Sequence, residues 1–203
     1  MGNNSAYAIL QWACARIGAV LATINPAYRI DEIVNNLRLV DARALVIVPR
    51  IRSSNYLELL RSKLLTLSAA TPGNIDDPIL PSLRHLIVFN NSTGDEDRTP
   101  IADIKASMNF HDLFLYDDQS MDAVLARTTK TLDEDDVINL QFTSGTTGAP
   151  KAVSLTHHNL LNNGWFIGRC MNLTHIDKIC NVPPLFHCFD ELLLYTNRHT
   201  NFA

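Results

Sequence analysis

The densest chemistry in the sequence lies in nine consecutive residues, Thr143-Ser144-Gly145-Thr146-Thr147-Gly148-Ala149-Pro150-Lys151. Gly145 and Gly148 permit positive φ and let backbone amides come close to a ligand. Successive amides in such a turn form a concave donor nest that suits phosphate oxygens. The hydroxyls of Ser144, Thr146 and Thr147 add neutral donors, Lys151 supplies a compact positive charge, and Pro150 stiffens the exit. No carboxylate in the segment competes for these donors, so the pattern predicts a polyphosphate cradle. It is not the GxxxxGK(S/T) loop of kinases and GTPases. Gly145 and Gly148 stand too close together, Lys151 does not follow the second glycine, and Ala152 occupies the place of the Mg²⁺-binding hydroxyl. A flexible Gly/Thr surface loop is the competing structural reading, and it leaves the concentration of donors unexplained.

Other chemistry-bearing groups are weaker. Cys170, His175, Cys180, His187 and Cys188 are close enough in sequence to suggest zinc, but their gaps match no finger or ribbon, and no metal site is expected there. The acidic run at 133–136 reads as a solvated strand entry rather than a metal site, because no other ligands lie near it. Taken alone, His187 fits a satisfied core histidine as well as a functional one.

The elements that must position the loop show as an alternation. Ala6 to Arg16 has helical character, and a β-like run from Ala19 to Ile24 stops at Asn25-Pro26. Ile30, Ile33, Leu37 and Val40 recur at helical spacing behind Asp31 and Glu32, which suit a first turn. A short strand at 44–48, a helix marked by Leu57, Leu60, Leu64 and Leu67, and a strand at 85–89 come next. Residues 90–100 form a polar loop, and 101–127 show little pattern. Strands at 137–142 and 152–155 flank the nine-residue loop. Thr156 then caps a helix carrying Leu160, Leu161, Trp165 and Ile167, and 178–182 has the character of one more strand. Alternating strands and helices predict an α/β fold with a mainly parallel sheet and flanking helices.

Composition narrows the function classes. The chain has 203 residues, 46% hydrophobic and 19% charged, with a formal charge of −4. Its basic residues are scattered, which argues against nucleic acid or an anionic membrane surface as the main partner. No uncharged apolar run reaches membrane-spanning length, since Arg16, Arg29 and Asp31 interrupt the greasiest stretch. Four cysteines without a CxxC pair suggest reduced thiols in an intracellular protein. The first 15 residues lack the basic start of a signal peptide, and neither terminus matches a lipidation or retrieval address. The cytoplasm is the default expectation, with peroxisome and mitochondrion compatible.

Residues 143–152 resemble the signature of the AMP-forming synthetase superfamily, which has the form Ser/Thr-Ser-Gly-Ser/Thr-Thr-Gly-x-Pro-Lys followed by a small residue. The likeness continues outside the loop. Gly18-Ala19-Val20 through Asn25-Pro26-Ala27-Tyr28 is similar to the upstream GAxxxxxNPxY segment. Leu155-Thr156-His157-His158-Asn159-Leu160 is similar to LTHxNL, and Pro184-Leu185-Phe186-His187 to the PLFH turn. These lie in the family's order over roughly residues 6–189, and fatty-acyl and medium-chain acyl-CoA synthetases are the nearest in wording.

The resemblance implies a two-step reaction using ATP, Mg²⁺ and CoA as co-substrate. A carboxylic acid, by likeness a fatty one, would attack the α-phosphate of ATP, and the CoA thiol would then capture the acyl-adenylate. The loop 143–151 would hold the β- and γ-phosphates, and His187 would lie at the acyl-adenylate site beside the path of the thiol. The resemblance also has limits. Asp190 and Glu191 stand where a glycine and a hydrophobic helix usually continue from the PLFH turn, so 190–203 is a divergent tail. The YGxTE motif, the downstream ribose-binding aspartate, the hinge and the C-terminal domain with its lysine have no counterpart here. The expectation is therefore a partial AMP-binding domain over 1–203, an incomplete N-terminal domain that does not catalyse the full reaction alone. A non-catalytic nucleotide-binding remnant is the second reading. The family fold would put most of the chain in one α/β subdomain, with the loop and the residues after it entering another, and would leave apolar faces exposed.

Overall fold

The computed structural model describes residues 1–90, 104–114, 119–143, 150–174, 176–180 and 182–188. The chain divides into two compact units, one holding Met1 and Pro26–Asp118, the other Gly2–Asn25 and Gln119–Ala203. The N-terminal segment therefore belongs with the loop-bearing residues, not with its immediate successors in sequence.

In the first unit, helix α2 (Ile30–Leu39) presents the predicted stripe, with Ile33, Val34 and Leu37 buried. Strand β2 (Ala44–Ile47) pairs in parallel with β5 (His85–Val88), and β5 pairs in parallel with β6 (Ser107–Asn109). Between them, β3 (Arg50–Ile51) and β4 (Ser54–Asn55) form a hairpin turned by Arg52 at φ +53°. The predicted helix over 57–67 is split. Helix α3 (Tyr56–Lys63) ends before Leu64, which leaves helical geometry at φ −104°, ψ 86°, and a 3₁₀ turn covers Leu65–Ser68. Leu64 and Leu67, three apart across the break, are both fully inside at 0% exposure.

In the second unit, helix α1 (Ser5–Ile17) is capped by Asn4, whose side chain accepts from the Tyr7 amide. It ends at Gly18, in the left-handed region at φ +72°. A side chain there would be strained, and an added Cβ would lie 2.8 Å from Leu132 Cδ2. The turn at Gly18 delivers the chain to β1 (Leu21–Thr23), which pairs in parallel with β7 (Val137–Thr143). Strand β7 pairs antiparallel with β8 (Lys151–Thr156), giving the order β1-β7-β8. Helix α4 (Asp122–Thr129) occupies the stretch that lacked a sequence pattern, and helix α5 (His157–Cys170) comes after β8.

Ala15, Ile138 and Leu160 form a buried cluster, with Trp12, Leu155 and Ile167 packed against it. Along α5, Leu160, Gly164 and Gly168 are buried at i, i+4 spacing. Leu161, Trp165 and Phe166 are exposed, and Arg169 sits 4.8 Å from the Trp165 ring centre. The exposed apolar faces expected from the sequence are thus present on this helix. Among the described residues, no ladder forms at 178–180 or at Val182, contrary to the expected strand. Val182 is 78% exposed, and apolar residues with no neighbouring strand to pair with cannot make a sheet. Among the described residues, no helix is long and apolar enough to cross a membrane.

Candidate active site

The β7–β8 ladder frames the loop. Thr143 and Lys151 are register partners, so the two ends of the nine-residue segment face each other across one rung. Both are exposed, as is Pro150, while Ser144, Gly145, Thr146, Thr147, Gly148 and Ala149 lie outside the described residues. The Lys151 ammonium, at the mouth, has no ion-pair partner among the described residues. Because β1 and β7 are parallel, this mouth is at their shared carboxyl end, where α/β sheets place ligands.

A strand, not a helix, leaves the loop, which separates this geometry from the strand–loop–helix of the kinase-type P-loop. Helix α5 begins at the far end of the ladder, where Val137 pairs with Thr156. Its first amides are already used. His157 N–H donates to the Asp136 carbonyl (3.3 Å), His158 N–H to the Glu134 carbonyl (2.9 Å), and Asn159 N–H to Thr156 Oγ1 (3.2 Å). In return, Asn159 Oδ1 accepts from Thr156 N–H at 3.0 Å, completing a capping box. The acidic run is itself a local turn, with Asp136 Oδ2 accepting from Asp133 N–H and Asp133 Oδ1 from Asp135 N–H. It is the solvated strand entry expected, and its carbonyls fasten the LTHxNL segment to the base of β7. The first amides of α5 thus lie at the opposite end of the ladder from Thr143 and Lys151.

His187 is exposed in this chain. Its amide donates to the Pro184 carbonyl at 2.9 Å, closing a tight turn, and Cys188 Sγ is 4.0 Å from its Nδ1. Leu185 anchors the turn by burial. A residue with no sequence signal grips it: Asn3 Nδ2 donates to the Pro183 carbonyl (2.6 Å), and Asn3 Oδ1 accepts from Leu185 N–H (2.8 Å). One side-chain amide thus reads a donor and an acceptor on the same stretch, as a neighbouring strand would. Cys170 and Cys180, two of the residues considered for zinc, are exposed thiols, and among the described residues no group of three metal-ligating side chains gathers.

Beneath the mouth lies a buried polar string. Thr23 Oγ1 donates to Gln141 Oε1 (3.1 Å), and Gln141 Nε2 donates to Asn139 Oδ1 (2.9 Å). Its sequence trace was two amides in an otherwise apolar strand, Val137-Ile138-Asn139-Leu140-Gln141-Phe142.

Comparison with known proteins adds four findings. The family model for AMP-binding enzymes matches residues 1–197. The chain is 37% identical over 193 residues to the acyl-CoA ligase sidI of Aspergillus fumigatus, covering 95% of this chain and 30% of the relative. It is 34% identical over 188 residues to the mitochondrial medium-chain acyl-CoA ligase ACSF2 of Danio rerio, covering 92% and 29%. Among solved structures, a long-chain-fatty-acid-CoA ligase from Archaeoglobus fulgidus shares the fold at a TM-score of 0.58 and 22% identity, over 96% of this chain and 31% of that one. The chain thus spans about a third of the length of the curated relatives it matches.

Proposed function

Because the chain belongs to the AMP-binding enzyme family, we propose that residues 143–151 hold the β- and γ-phosphates of ATP during activation of a carboxylic acid to its CoA thioester. The observation that carries this reading is the Thr143–Lys151 rung. It closes a donor-rich loop at the carboxyl end of two parallel strands and leaves at its mouth a cation unpaired among the described residues. In the first half-reaction, a carboxylate oxygen bonds to the α-phosphorus and the bond from that phosphorus to the bridging oxygen breaks, releasing pyrophosphate. Charge builds on the leaving group, and Lys151 with the loop amides neutralises it in place. Mg²⁺ would enter on the triphosphate, whose oxygens are its ordinary ligands together with one or two carboxylates. In the second half-reaction, the CoA sulfur bonds to the acyl carbon and AMP leaves. The turn carrying His187 would face that step, held by Asn3. Both half-reactions draw on further motifs of the family, and the part assigned here to this chain is the nucleotide loop. The fatty or medium-chain acid class rests on likeness to the named relatives.

The test is titration of the folded chain with a fluorescent ATP analogue and Mg²⁺. A charge-assisted hydrogen bond is worth about 1.5–3 kcal/mol, and exposure of Lys151 favours the lower end, so Lys151→Ala should weaken binding about tenfold. Equal affinity in variant and wild type would remove Lys151 from the site.

A further inference from the structure

We infer that Thr23 and Gln141 are positioning residues for the loop mouth at Thr143 and Lys151, an inference that rests on the reading of 143–151 given above. Strand β1 is three residues long, and its pairing with β7 ends at the rung Thr23–Gln141. Beyond that rung β7 runs on to Thr143 supported only by β8 among the described strands, so the loop mouth overhangs the end of β1. Parallel pairing is slightly less stable per residue than antiparallel pairing. At that rung the structure adds a side-chain bond, Thr23 Oγ1 to Gln141 Oε1 at 3.1 Å, and braces the acceptor through Gln141 Nε2 on Asn139 Oδ1 at 2.9 Å.

These three groups are costly to place there. Thr23, Gln141 and Asn139 are 5%, 7% and 1% exposed, and buried amides need every bond they can make. Strand interiors favour β-branched and aromatic side chains over an amide such as Asn139. A valine or leucine would fill the space without desolvating an amide. What the polar string supplies, and an apolar pair does not, is direction: it fixes the lateral position of Gln141, and with it the mouth two residues further on. A mouth held in its binding geometry spares the nucleotide the cost of ordering it.

The experiment measures affinity for a fluorescent ATP analogue with Mg²⁺ alongside urea unfolding, on wild type, Thr23→Val, Thr23→Ser and Gln141→Met. Thr23→Val keeps the shape and loses the hydroxyl, and it should weaken nucleotide binding about fivefold, the worth of one buried hydrogen bond. Thr23→Ser keeps the hydroxyl and should restore most of that loss, whereas a packing role would make serine the worse of the two. Gln141→Met, which keeps the length and removes the bonds to Thr23 and Asn139, should reproduce the loss if Thr23→Val does not fold. A purely structural role lowers the urea midpoint and leaves affinity unchanged; that result, or failure of both Thr23→Val and Gln141→Met to fold, overturns the inference. Wild type that shows no Lys151-dependent binding overturns the nucleotide reading and this inference with it. Lys151-dependent binding left intact in both variants overturns this inference alone.

Discussion

Replacing Gly18 by alanine tests how tightly the chain is held where helix α1 hands over to β1. The left-handed conformation at φ +72° costs an L-residue about 1–2 kcal/mol. Alanine also narrows the unfolded ensemble, which returns about 0.4–1 kcal/mol. The new Cβ would lie 2.8 Å from Leu132 Cδ2, closer than such atoms approach. Leu132 is only partly buried and the clash is with the far end of its side chain, so it can yield by leaving its rotamer, for about 1 kcal/mol. The net expectation is a loss of about 2 kcal/mol, which at a urea m-value of about 2 kcal/mol/M lowers the midpoint by about 1 M. Tryptophan fluorescence is the assay, because both tryptophans, Trp12 and Trp165, belong to the loop-bearing unit. Gly18→Asn separates the causes: asparagine tolerates the left-handed region, so it should cost less than alanine if backbone strain dominates. A midpoint for Gly18→Ala that matches wild type would refute both the strain and the clash.

A longer protein that supplies the family's remaining motifs should release pyrophosphate with hydrophobic carboxylic acids and form CoA thioesters. A screen of acids by chain length, with amino acids alongside, checks this, and preference for an amino acid without thioester would move the chain to the peptide-synthetase branch. Burial pushes the Cys14 thiol above its ordinary value of 9.0, so the unfolded chain releases that proton at a pH where the folded chain still holds it. Stability should therefore be unaffected by this thiol below about pH 9 and fall as pH rises beyond it, and Cys14→Ala should lessen the fall in urea midpoint between about pH 7 and about pH 10.

The parts that sequence reading reached are those whose cause is local. Helix α2 arises from Ile33 and Leu37 at helical spacing, and the loop at 143–151 declares itself because its donors are contiguous. The misses have non-local causes. Ser107-Met108-Asn109 has no alternating pattern and is a strand because β5 offers it a ladder. The segment 178–180 has strand-like composition and lacks such a partner among the described residues. The hairpin at 50–55 turns on Arg52, where a glycine or asparagine would have signalled it. In the site, the same division holds. Lys151 and Thr143 were legible as chemistry, while Asn3 and Thr23 acquire their roles from residues far along the chain.

That distance has a consequence for how the protein is made. Thr23 meets its partner Gln141 118 positions later, and Asn3 meets Leu185 182 positions later. A ribosome therefore releases β1 and the Asn3 segment long before the strands and turn that receive them exist. The intervening unit, Pro26–Asp118, can close on its own residues in the meantime. If it stayed unfolded, drawing the ends of so long a loop together would cost about 4 kcal/mol in chain entropy. A unit that has already collapsed shortens that loop and lowers the cost. The order of synthesis thus favours a fixed sequence of events, in which β7 and β8 arrive late, beside a strand that has waited unpaired.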